Sequence, residues 1–116
     1  MLYICNSFSL SMLDAWRLDD ADSVTQISVV PISDPQARLA DAEELHGPAV
    51  SAVGHADTAA LFSKLLNRPV AFNRVSIKLD ESVELLVGQL SGPRPAEGST
   101  TLPEGATIKW LLVYIN

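Results

Sequence analysis

The sequence predicts a single α/β domain over residues 1–116, a mixed sheet of about five strands flanked by helices, and three observations carry that prediction. The first is length: 116 residues suffice for one core, whereas two halves would each be too small to bury one. The second is composition, with hydrophobic residues at 47% and aromatics at 6%, a balance that suits aliphatic α/β packing and excludes a disordered chain. The third is patterning: short aliphatic or β-branched runs alternate with stretches of helical period, and Pro and Gly punctuate the joins.

Leu2 to Cys5 is a short apolar run closed by Asn6-Ser7, the pattern of a buried strand and its end. Ser9 or Ser11 then caps a short helical turn, with Met12, Leu13 and Trp16 at helical spacing over residues 12 to 17, and the Asp19-Asp20-Ala21-Asp22 run is a solvated loop. Val24 to Ile32 is β-branched and alternating, a second strand whose edge or end is marked by Pro31. A helix follows, capped by Ser33 or Asp34, with Pro35 in the first turn where its missing N–H is harmless, and it runs to about Leu45 before Gly47-Pro48.

His55 to Leu66 places Ala59, Leu61, Phe62, Leu65 and Leu66 on one face and stops at Asn67-Arg68-Pro69, which describes a core-packing helix. Asn73 to Leu79 sets Val75, Ile77 and Leu79 against Arg74, Ser76 and Lys78, the alternation of a strand with one wet face. Asp80-Glu81-Ser82 supplies a turn, and Val83 to Leu90 the return strand of a hairpin. Residues 91 to 105 form a long Gly-, Pro- and Ser-rich loop carrying Arg94 and Glu97, and Thr107 to Ile115 reads as a central strand.

The formal net charge of −6 argues against a general nucleic-acid coat, so no long nucleic acid is expected and any anionic ligand must be captured locally. Cys5 is the only cysteine, which rules out an intrachain disulfide and fits a reducing, cytoplasmic setting. The apolar start lacks a basic leader and is too short to cross a bilayer, so neither a signal peptide nor a membrane partner is expected. Cys5 itself reads as a small buried hydrophobe.

The most informative stretch is Gly54-His55 at the mouth of the third helix. Backbone N–H groups at such a mouth point unpaired at whatever lies before them, a place where phosphate is favoured by hydrogen bonding and by the helix dipole. Arg74 and Arg94 follow at strand and loop positions. One histidine that can give or take a proton, joined by fixed guanidinium charges, suits cleavage of a phosphodiester without a metal. Taken singly, each residue has a plainer reading: His55 as a helix cap, His46 as an exposed helix end, Arg74 and Arg94 as solvent charges, and Trp16, Trp110 and Tyr114 as core. His46 and His55 lack the further ligands of a metal site, and no cofactor is expected.

Cys5-Asn6-Ser7-Phe8-Ser9, Gly54-His55 with Thr58, Asn73-Arg74-Val75, and Arg94 with Glu97-Gly98 occur in that order along most of the chain. In that order and spacing they resemble the viral anti-CRISPR ring nucleases and their cellular relatives in type III CRISPR systems. The resemblance implies a two-fold homodimer that cleaves cyclic tetra-adenylate without metal, a ribose 2′-hydroxyl attacking the adjacent phosphorus. It also implies roles: His55, Arg94 and Glu97 as the catalytic set, with His55 the general acid, and Asn6, Ser9, Gly54, Thr58 and Arg74 as substrate-binding residues. The chain departs from the family pattern between Leu90 and Pro93, where Gln89 stands apart from Arg94 rather than directly before it. Two other classes compete: a protein that sequesters the ring without cleaving it, and a structural dimer with no affinity for it.

Overall fold

The apolar run Leu85-Leu86-Val87 is buried on both faces, as befits the middle of a sheet with both sides covered. It lies in β4 (Glu84–Ser91), flanked by β1 (Leu2–Cys5) and β5 (Thr107–Ile115), with β2 (Ile27–Ile32) and β3 (Val50–Ser51) at the edges, so the order is β2-β5-β4-β1-β3. β1 pairs in parallel with β3 and β4, while β4 with β5 and β5 with β2 are antiparallel. The computed structural model describes residues 1–116, and this five-stranded mixed sheet with its three helices is the α/β domain that the patterning predicts.

Strand alternation splits the core into two layers. One face presents Leu2, Ile4, Leu86 and Leu112 to α2 (Pro35–His46) and α3 (Ala56–Leu66), which contribute Leu39, Ala59, Phe62 and Leu66. The other face presents Cys5, Leu85, Val87, Val113 and Ile115, covered by Leu13, Ile77, Leu79 and Val83 from irregular segments. Asp34 caps α2, its carboxylate accepting from the Ala37 N–H at 3.1 Å, with Pro35 in the first turn. His46 is the last residue of α2 and is exposed. Asn67 closes α3 in the left-handed conformation, φ 52°.

Three expectations require correction. Residues 73 to 79 form no strand: the segment and its flank make only isolated bridges outside the sheet, Phe72 to Val53 and Leu79 to Leu13, and Asn73 reaches β3 through its side-chain amide, which donates to the Ser51 carbonyl at 2.6 Å. Its alternation is real at Ile77 and Leu79, which are buried, but Val75 is exposed. Both flanks of β4 are already taken by β1 and β5, so the partner assigned to it from sequence has no ladder to join. The hairpin is instead β4–β5, with Ser91 opposite Thr107 at its loop end. Second, β2 begins at Ile27, leaving Val24 80% exposed. Pro31 sits within this strand, which is tolerable because β2 is an edge. Third, Trp16 on α1 (Ala15–Asp19) is exposed rather than core and lies 4.4 Å from the Arg17 guanidinium. Trp110 does pack, its ring centroid 4.9 Å from that of Phe62. The two-residue β3 was not anticipated, being too short to leave a periodicity.

Candidate functional site

Where β4 and β5 leave the sheet beside the start of α3, a cleft of about 450 Å³ opens. Its floor is apolar, formed by Phe62, Gly88 and Ile108, and its walls are polar: Asn6 after β1, His55, Asp57 and Thr58 at the start of α3, Gln89 from β4 and Arg94 from the following loop. The topology explains the convergence, because β1 and β4 run parallel and side by side. Their C-terminal ends, and the polar residues beyond them, therefore reach the same edge of the sheet, the usual place for ligands in open α/β folds.

His55 occupies the capping position of α3 with extended backbone, yet its side chain makes no capping hydrogen bond. The plain reading of this histidine as a helix cap is therefore not realised. The first-turn N–H groups of Ala56, Asp57 and Thr58 find no protein acceptor, which leaves a partial positive charge facing the cleft. Thr58 and Asn6 are half-buried, whereas His55 and Arg94 are exposed. Arg94 and Arg74 enter no ion pair: the two ion pairs of the chain are Arg17 with Glu81 and Arg68 with Glu43. In a chain with 14 acidic side chains against 8 basic ones, Arg94 brings an unpaired guanidinium into a cleft whose lining holds one carboxylate, that of Asp57.

The remaining residues picked out from the sequence sit less centrally. Arg74 lies outside the cleft, but its side chain runs over Gly54, where an added Cβ would meet Arg74 Cγ at 3.4 Å, so it borders the residue preceding His55. Glu97 is exposed at a loop turn and does not line the cleft. Ser9 is also outside it, its hydroxyl accepting from the Ser11 N–H at 3.3 Å to cap the 3-10 turn Leu10–Met12. Asp57 and Gln89 line the cleft and received no role from the sequence. For Asp57 the available signal was an acidic residue in the first turn of the same helix as His55. Gln89 was marked by the family pattern as a glutamine displaced from its place directly before the arginine, and so it carried no role.

The loop between β4 and β5 is shaped at its base by Gly92, whose φ is 89° and whose added Cβ would fall 2.4 Å from the Gly105 carbonyl oxygen. Only a residue without a side chain allows the two ends of the loop to cross so closely. Cys5, beneath the opposite face of the sheet, has its thiol pushed up to about 11 by burial, a backbone hydrogen bond at Ser7 offsetting part of the shift. It is inert structure rather than a nucleophile. No group of three or more His, Cys, Asp and Glu side chains is placed to hold a metal ion, and no helix is long and apolar enough to cross a membrane.

The family model described as STIV B116-like matches residues 2–109. B116 of Sulfolobus turreted icosahedral virus has the same fold, with a TM-score of 0.73, 22% sequence identity and 97% of each chain covered. No curated protein matches the sequence.

Proposed function

This chain belongs to the STIV B116-like family, and from that premise we propose that it is a metal-independent ring nuclease acting on cyclic tetra-adenylate, working as a homodimer to switch off type III CRISPR signalling. The observation that carries the reading is the cleft itself: His55 stands uncommitted at the mouth of α3 with Arg94, Asn6 and Thr58 around the same space. Free first-turn N–H groups and an unpaired guanidinium are the groups that hold a phosphate.

In this reaction a ribose 2′-oxygen bonds to the adjacent phosphorus while the bond from phosphorus to the 5′-oxygen breaks. The 2′-hydroxyl proton leaves to solvent, and the departing 5′-oxygen takes a proton from imidazolium His55. The products are linear di-adenylates ending in 2′,3′-cyclic phosphates. Arg94, together with Arg74 bordering Gly54, offsets the charge that builds on phosphorus, and fixed donors do this without reorganising. The ring's own geometry aligns the 2′-hydroxyl, so proximity replaces a strong base. Glu97 and Ser9, outside the cleft of one chain, act in this reading only by meeting the parts of the ring that extend beyond it.

The cleft falls in the range of about 300–1,000 Å³ usual for small-ligand sites, and a ring of four nucleotides exceeds the 450 Å³ available in one chain. Two copies related by a two-fold axis would present equivalent clefts to opposite sides of a ring that has such an axis itself. That arrangement also doubles the few cations an acidic chain brings to the ligand.

Incubation with cyclic tri-, tetra- and hexa-adenylate in excess chelator, with identification of products, tests the proposal. The wild type should convert the tetramer to di-adenylate cyclic phosphates, and His55→Ala should bind it as tightly while turning over about 10²- to 10⁴-fold more slowly, the usual contribution of a positioned acid. Binding without turnover in the wild type would identify a sequestering protein instead. Absence of both would reject the site, and cleavage only after metal is restored would reject the mechanism.

A further inference from the structure

Asp57 is the only acidic side chain lining the cleft. It sits in the first turn of α3, two residues beyond His55, where the helix dipole favours a carboxylate. In a cleft otherwise suited to anions such a charge opposes the ligand, so its presence asks for another function. That function is visible in its one hydrogen bond: Asp57 Oδ2 accepts from the backbone N–H of Gly98 at 3.1 Å.

The contact spans two parts of the chain that nothing else joins in this way. Residues 92 to 106 leave the β4–β5 ladder at Ser91 and rejoin it at Thr107. Within the loop the hydrogen bonds are local: Ser99 N–H to the Ala96 carbonyl, Ala106 N–H to the Pro103 carbonyl, and Ser99 with Thr101. The bond from Gly98 to Asp57 is the single hydrogen bond from this loop to the rest of the chain. Gly98 has φ 76° in the turn that Ser99 closes, a conformation few side chains adopt, and the turn leaves its own N–H free to donate outward. Arg94, Pro95, Ala96 and Ser99, on either side of that turn, form one wall of the cleft.

We propose that Asp57 is a positioning residue that latches the 92–106 loop to the mouth of α3 and thereby holds Arg94 against the site of His55. What the latch needs is an acceptor oxygen, not a charge. Its role in turnover rests on the ring-nuclease reading, whereas the latch itself does not.

Asp57→Asn keeps an acceptor oxygen and Asp57→Ala removes it, and both are to be compared with wild type in two assays after circular dichroism has confirmed the fold. In the first, limited proteolysis with a glutamyl endopeptidase reads the exposure of the bond after Glu97. The Ala variant should be cut up to about tenfold faster, the equilibrium factor of one hydrogen bond, and the Asn variant at close to the wild-type rate. In the second, cyclic tetra-adenylate cleavage should lose about tenfold in kcat/KM in the Ala variant, mostly through KM, and recover in the Asn variant. Equal proteolysis of wild type and Ala variant, or an Asn variant as labile as Ala, would overturn the latch. Proteolysis as expected with no ring cleavage by any form would leave the latch standing and remove the ring-nuclease reading.

Discussion

Gly88 is a sharp place to test the architecture, because the floor of the cleft depends on its having no side chain. It lies in β4 directly opposite Trp110 of β5. A Cβ built there would sit 2.6 Å from Phe62 Cζ and 2.7 and 2.9 Å from two carbons of the Trp110 ring. Carbon atoms in contact prefer separations of about 3.5–4.0 Å, so Gly88→Ala demands movements near one ångström (~1 Å) from two rings at once. Phe62 is 1% exposed and packed among Leu86, Leu112 and Val53, so it has little room to yield. Overpacking of this kind costs about 2 kcal/mol, and the smaller unfolded-state entropy of Ala returns about 0.5 kcal/mol, leaving a net loss near ~1.5 kcal/mol. Urea denaturation should show a lower midpoint at unchanged slope, and the melting temperature should fall by about 6 °C. Phe62→Leu removes the nearest clash and leaves the two against Trp110, so Gly88→Ala should cost about 1 kcal/mol in that background, a coupling of about 0.5 kcal/mol across the pair. Wild-type stability in Gly88→Ala, or simple additivity in the double variant, would refute the assignment of Gly88 as the seat of the two rings.

Two further expectations concern groups away from the cleft. Glu43 on α2 receives Arg68 through two bonds of 2.5 and 2.7 Å and the Ala49 N–H at 2.8 Å, and the Arg68 hydrogen bonds, then that of Ala49, hold its carboxyl below the usual range. Because the folded group titrates lower than the unfolded one, its stabilisation is complete above the unfolded value of about 4.3 and is lost as pH falls through the folded value. Glu43→Gln should therefore cost about 1–2 kcal/mol at pH 7 and flatten the acid limb of the stability profile; a profile parallel to wild type would contradict this. Cys5, with its thiol near 11 and its side chain buried, should resist iodoacetamide at pH 8 in the native protein and react once urea unfolds the chain. Rapid labelling of the native form would show that the second core is open.

Much of the fold was legible because hydrophobic period reports burial, and burial is largely a local property of a strand or helix. β1, α2, α3 and β5 follow from their patterns and punctuation: Asn6-Ser7 after β1, Asp34-Pro35 before α2, Asn67 after α3. The same logic placed His55 at the mouth of a helix and Cys5 in the interior. Residues 73 to 79 show where it fails. Ile77 and Leu79 alternate as a strand would and are buried, yet a strand also needs a neighbour with free N–H and C=O groups, and β4 gives its two sides to β1 and β5. Pairing is a relation between distant segments, and no local pattern encodes which of them arrives first at an open edge. The cleft divides the same way. The resemblance to the ring nucleases singled out His55, Arg94, Asn6 and Thr58, but the parallel placement of β1 beside β4 decided that they meet. It also brought in Asp57 and Gln89 and left Ser9 and Glu97 outside, because a side chain's membership in a site depends on which strand ends the sheet gathers at one edge.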